Sequence, residues 1–312
     1  MADALPASAL SGGAPPAPNR RLPAWGFALL GYTVFVLLFG ALVRVTGSGA
    51  GCGQHWPTCQ GELVLMPKTF HTALEYGHRL TSGLVLVAAV AYAVALRRKL
   101  PRGHRAARAM LVGLAFTLVD AAIGAWLVLG ALVGQNASAA RAMVMPAHLV
   151  STCGLSAGFA LAAYWASETR PNESSAARRW PLFACLAAFV VVAAMGAVTA
   201  LGDTLYPIKS SGLALSGSHF LEQLRIVHPL LAVAFGLTAA SVVPRLVQTS
   251  SPSAQRFARW VVIAVGIELA VGLLNVVLAA PAWMQLVHLA LAIALWLALV
   301  LTTAEALAPR AA

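Results

Sequence analysis

The sequence predicts an all-α polytopic membrane protein whose eight transmembrane helices form two four-helix bundles related by a parallel repeat. Three observations predict it. The chain is 60% hydrophobic and only 10% charged, with a mean hydropathy of +0.80, far from the roughly 25% charge of soluble domains. Runs of about 20 apolar residues, the length that crosses about 30 Å of hydrocarbon, fall at 25–45, 72–96, 107–133, 143–166, 180–200, 219–243, 257–280 and 283–307. A histidine lies a short way into the second, fourth, sixth and eighth runs: His78, His148, His228 and His288.

Taken in order, residues 1–24 are rich in Ala, Pro, Gly and Ser, lack the basic region and cleavage site of a signal peptide, and read as a disordered cytoplasmic tail. The first run closes with Gly40-Ala41-Leu42-Val43-Arg44-Val45-Thr46, echoed by Gly196-Ala197-Val198-Thr199-Ala200-Leu201-Gly202 at the close of the fifth. Next comes an outward loop carrying Cys52 and Cys59. An oxidising compartment permits a disulfide there, either a structural staple or a labile redox pair. The second run opens with Glu75-Tyr76-Gly77-His78-Arg79, whose i, i+3 and i, i+4 spacings place Glu75, His78 and Arg79 close to one helical face.

In the third run Asp120 precedes Gly124 by four residues, and in the seventh Glu268 precedes Gly272 by four; a histidine helix follows each. A cytoplasmic linker at 169–179 then divides an N-terminal bundle, 25–168, from a C-terminal one, 180–307. Four helices is an even number, so the two copies share one orientation, which makes the repeat parallel. Cys153 and Cys185 fall inside helices and read as small buried hydrophobes.

The net charge of +11 is sorted by side of the membrane and not gathered into one patch. Arg20, Arg21, the Arg97–Arg108 cluster, Arg170, Arg178, Arg179, Arg245, Arg256, Arg259 and Arg310 occupy one set of loops, while the other set holds only Arg44, Lys68, Arg141 and Lys209. The positive-inside rule then puts both termini in the cytoplasm. Lipid, not nucleic acid, is the expected surroundings of this chain.

With that topology all four histidines lie roughly 8–14 Å below the outer boundary, at 1.5 Å rise per residue. Polar rings in hydrocarbon are costly and default to a functional reading. Within a bundle His78 can face His148 and His228 can face His288, as in ligation of a haem iron from two sides. Structural zinc wants four N or S ligands and catalytic zinc three plus water, and neither suits two separated pairs. His55, His71, His104 and His219 read as surface or loop residues. Glu75 stands three residues before His78, whereas Arg225 stands three before His228. A carboxylate can move protons or orient oxygen at a reacting carbon; arginine can only donate and suits a haem propionate.

Arg44-Val45-Thr46-Gly47-Ser48-Gly49, Cys52, Trp56-Pro57-Thr58-Cys59, Glu75-Tyr76-Gly77-His78-Arg79, Pro146-Ala147-His148, His228-Pro229 and His288 resemble the haem A synthase family of cytochrome oxidase biogenesis, over about residues 25–305. The resemblance implies an oxidoreductase of the bacterial inner membrane that turns the C8 methyl group of haem O into a formyl group by successive hydroxylations. It implies haem O as substrate at His78 and His148, haem b as cofactor at His228 and His288, and Glu75 as the catalytic carboxylate. Arg44, Arg79 and Arg225 become haem-propionate or supporting residues, and Cys52 and Cys59 match the family's outer-loop pair. The second-half loop, around Gly202 to Gly217, lacks the second cysteine pair of some members. Expected partners are a haem O synthase, cytochrome oxidase subunit I or its assembly factors, and a second copy of the chain. The rival is a non-catalytic di-haem b-type electron carrier, which has no need of Glu75 or the cysteine loop; a transporter ranks last for want of Gly/Pro-broken midplane helices.

Overall fold

Each apolar run becomes a helix in the computed structural model, which describes residues 21–167, 179–208 and 219–307. Most of the tail, the linker apart from Arg179, and residues 209–218 of the loop between the fifth and sixth spans lie outside the described residues. The long helices are α1 (Arg21–Val45), α2 (Phe70–Lys99), α3 (Arg105–Leu129), α4 (Ala139–Ala166) and α5 (Arg179–Leu205). Then follow a short α6 (Phe220–Gln223), a 3₁₀ turn (Leu224–Ile226), α7 (Val227–Val247), α8 (Pro252–Val277) and α9 (Ala282–Ala306). With α6 and α7 forming one span, eight are long and apolar enough to cross a membrane.

The helix ends are set by local chemistry. Thr69, Ser138 and Ser251 each accept a backbone N–H of the first turn of α2, α4 and α8, and Pro252 opens α8 where its missing N–H costs nothing. His104 caps α3 by accepting from the Ala106 amide. Burial and the adjacent Arg105 and Arg108 charges hold its pKa below the ordinary histidine value, which keeps that ring nitrogen free to accept. Two helices end earlier than their apolar runs: α3 stops at Leu129 because Ala131 turns to φ 51°, and α8 stops at Val277 because Ala279 and Ala280 turn to φ 60° and 54°. Conversely α2 runs on through Arg97, Arg98 and Lys99, cations that suit a helix C-terminus and reach the interface. The break before α7 follows from Pro229, which cannot donate to the Arg225 carbonyl and whose ring crowds it.

Helices α1, α2, α3 and α4 pack as a closed ring of neighbours, and α5, α7, α8 and α9 pack as another. The rings meet where α4 lies against α5 and α9, and α1 against α9. Accordingly the apolar stretch of α4 is 56% buried and that of α8 only 11%. Close crossing of α3 and α4 depends on Gly113 and Gly158, since a Cβ on Gly158 would fall 2.5 Å from the Gly113 Cα. Hydroxyls inside the helices, such as Thr33, Thr117 and Ser156, donate back to carbonyls three or four residues earlier, as an apolar surrounding demands. At one end Glu305 accepts from Tyr164 and Ser251, both at 2.8 Å, tying α4, the start of α8 and the end of α9 together. Trp25, Trp180 and Trp260 stand exposed toward the end expected to face the cytoplasm, Trp126 and Trp283 toward the other, the pattern of interfacial belts.

Candidate functional site

Both rings open onto one cavity of about 1340 Å³ lined by His78, His148, His228 and His288. That volume exceeds the roughly 300–1,000 Å³ of a single small-molecule site. Glycines make room for three of the rings, Gly272 for His288 among them. A Cβ on Gly40 would lie 2.9 Å from Cε1 of His78, and one on Gly196 3.0 Å from Cε1 of His228. The sequence echo between the ends of the first and fifth runs is thus a pair of ring-receiving notches.

His228 and His288 face each other with ring centres 6.2 Å apart and planes at 74°. Two imidazoles that hold one metal from opposite sides, each nitrogen about 2.0–2.1 Å away, put their centres about 6 Å apart. Among the described residues no group of three or more His, Cys, Asp or Glu could hold a bare metal ion. Two histidines suffice only when the metal brings its other ligands with it, as iron does in a porphyrin. The donor set therefore fits haem.

Carboxylates back two of the rings. His148 Nδ1 lies 2.7 Å from Asp120 Oδ1. Asp120 also accepts from Ser151 and, at 3.4 Å, from Thr152. Since a carboxylate only accepts, the Nδ1 proton belongs to this bond and Nε2 is left for a metal. His288 Nδ1 lies 3.2 Å from Glu268 Oε1, within ion-pair distance but not aligned as a hydrogen bond. His228 Nδ1 meets the Val192 carbonyl at 3.1 Å, whereas His78 Nδ1 is buried with no partner. Asp120 and Glu268 stood in the sequence only as markers of the repeat; their shared spacing before a glycine was the available signal for this role.

Glu75, buried at 4% exposure, is held from two sides. The Cys52 amide donates to Oε2 at 2.7 Å, and Arg79 donates to Oε1. Arg79 in turn donates to the carbonyls of His55 at 2.5 Å and Thr58 at 2.6 Å, inside the loop closed by the Cys52–Cys59 disulfide. Both cysteines are fully buried, and Cys59 pairs with Glu62 across an isolated bridge. His71, a surface residue by sequence, bonds Ser48 at 2.9 Å below the same loop.

The other arginines are also committed to protein. Arg44 crosses from the first ring to the second, donating to the Ala200 carbonyl at 2.7 Å, Thr204 at 2.6 Å and Gln285 at 3.1 Å. Arg225 lies 2.9 Å from Asp203 and donates to the carbonyls of Gly202 and Tyr206. Both line the cavity, and their bonds are those of supporting residues. Sequence reading missed Asp203, which has no acidic counterpart in the first half.

Residues 23–300 match the family model described as cytochrome oxidase assembly protein. The chain belongs to that family, the haem A synthase family. Members with this name include a heme A synthase of Lysinibacillus sphaericus, 35% identical over 107 residues, 34% of this chain and 35% of the relative. Another, from Bacillus cereus, is 56% identical over 50 residues, 16% of each chain. A protein of Thermus thermophilus named protoheme IX farnesyltransferase is 42% identical over 297 residues, 92% of this chain and 48% of the relative. The chain thus spans about half the length of the Thermus relatives it matches. In this chain Cys52 and Cys59, in the loop between α1 and α2, form a disulfide.

Proposed function

We propose that the chain is a haem A synthase of the bacterial inner membrane, with both termini cytoplasmic, oxidising the C8 methyl group of haem O to a formyl group. The substrate is held by His78 and His148, and a resident haem b by His228 and His288. The observation that carries this reading is the clamped Glu75. A buried carboxylate sits one helical turn from a metal-ligating histidine on the first pair alone, while the second pair has Arg225 at the equivalent place, neutralised by Asp203. Bis-histidine electron transfer needs no such acid, so the asymmetry favours the synthase over the electron carrier.

When bound, the porphyrins supply the redox chemistry of methyl oxidation. The protein's own part is to bind, orient and handle protons. His78 and His148, which both line the cavity, would hold the porphyrin. Glu75, with one oxygen on the Cys52 amide and the other on Arg79, is held at a fixed point where it can accept or return the protons that each oxidation of the methyl carbon moves.

Farnesyl transfer, the activity in the name of the Thermus relative, is a poorer reading for this stretch. Prenyl diphosphates are held through Mg²⁺ by clustered carboxylates, and no two of the ten acidic residues here lie within four positions of each other. The same relative supports a different inference: the synthase works beside a prenyltransferase that makes haem O, and delivers haem A toward cytochrome oxidase subunit I or its assembly factors. The test is to express the chain with a haem O source in cells lacking haem A and identify the extracted porphyrins. Haem A or its hydroxylated intermediate supports the synthase; haem b with untouched haem O supports the electron carrier.

A further inference from the structure

We infer that the two histidines of the first pair are unequal ligands: His148 is the held one and His78 the displaceable one, so that a coordination position opens on the side of Glu75. The inference rests on the assignment of a porphyrin to this pair.

The imidazole of His148 is gripped through its far nitrogen. Its Nδ1 donates to Asp120 at 2.7 Å, and Asp120 is itself immobilised by the Ser151 and Thr152 hydroxyls. Such a carboxylate fixes the tautomer and ring angle and raises the basicity of the nitrogen facing the metal. His78 has neither support. Its Nδ1 is buried without a hydrogen-bond partner, and its ring packs T-shaped on Phe39, with centres 5.8 Å apart, and against the notch at Gly40. Apolar contact holds a ring in place but adds nothing to its basicity and does little to resist rotation about χ2.

The second pair shows the contrast. His228 occupies the place of His78 against an equivalent glycine, yet its Nδ1 has the Val192 carbonyl at 3.1 Å, and His288 has Glu268 at 3.2 Å. Both rings of that pair face a polar acceptor, His288 without an aligned hydrogen bond, as would suit two ligands that hold a haem permanently. Among the described residues His288 Nδ1 also lacks an aligned hydrogen bond but has the Glu268 carboxylate beside it, whereas His78 Nδ1 has neither, and the His78 ring shares a helix face with Glu75, three residues before it. Release of His78 would expose the metal next to the clamped carboxylate, while His148 kept the porphyrin in its pocket.

The test compares full-length His78→Ala, His148→Ala and Asp120→Asn with wild type, each loaded with haem O in membranes. Readouts are haem O retained per protein, spin state by absorption and electron paramagnetic resonance, and carbon monoxide binding after reduction. Unchanged haem b at His228 and His288 certifies that each variant is folded. Expected for His78→Ala is near-wild-type haem O in a high-spin form that binds carbon monoxide and returns to low spin with added imidazole. His148→Ala should retain at least tenfold less than His78→Ala, and Asp120→Asn should lose roughly 10–100-fold in affinity, the usual cost of removing such a partner. Equal losses in the two histidine variants, or a greater loss in His78→Ala, would overturn the inequality while leaving the substrate assignment intact. Wild type that took up porphyrin only at the second pair would overturn both.

Discussion

The two halves seat His78 and His228 against matching glycines, Gly40 and Gly196, yet they surround their histidines differently. Around His78 and His148 stand a clamped Glu75, a disulfide loop and an Asp120 tied by two hydroxyls. Around His228 and His288 stand Arg225 locked to Asp203 and a Glu268 whose second oxygen is buried without a partner. On the proposed function, one scaffold would carry a pocket equipped to act on what it binds and a pocket equipped to keep it. The difference lies in a few charged side chains and not in the helices, because the ligand geometry is set by backbone packing while reactivity depends on which groups can hold or move a proton.

Glu75→Gln tests that division most severely. Conversion of haem O should fall by about 100-fold or more, the scale of a lost general acid or base, with the haem b spectrum of the second pair unchanged. Retained conversion, measured by porphyrin extraction, would remove the basis for calling the first half the reacting one. Glu268→Gln probes the other half: haem b retention should drop roughly 10–100-fold, and a loss confined to the first pair would contradict the assignment of Glu268 to His288. Replacing Cys52 and Cys59 together by Ser loosens the loop that holds Glu75 and Arg79. Losing one hydrogen bond to a charged group costs about 1.5–3 kcal/mol, so conversion should fall roughly 10–100-fold, and haem b content should not change. Glu305→Gln, at the far end of the bundle, should lower thermal stability by about 1 kcal/mol and leave turnover per folded protein as it was; a selective loss of conversion would show that this end communicates with the first pocket.

Much of the architecture was legible in the order of residues. The eight spans follow from apolar length, and the four histidines and the Glu75-to-Arg79 run are visible as polar residues where polar residues are expensive. Helix ends were less legible. An apolar run reports which residues tolerate lipid, and it does not register the left-handed turns at Ala131, Ala279 and Ala280 that stop α3 and α8 early. Asp120 and Glu268 could be seen as a repeating sign but not as partners of His148 and His288, since their contacts join residues 28 and 20 positions apart on neighbouring helices. Arg44 is the extreme case: its acceptors lie 156 to 241 positions along the chain.

The sequence alone determined that this chain is a multi-pass membrane protein, that a histidine opens every second span, and that an acid stands three residues before His78 where Arg225 stands three before His228. Periodicity and the cost of burying polar groups are local properties, so they can be read from one segment at a time. Tertiary structure decided which nitrogen of each histidine is held, that a loop amide and an arginine fix Glu75, and that Arg44 joins the two halves. Those facts depend on distances between helices far apart in the chain, and only packing brings such groups within hydrogen-bond reach.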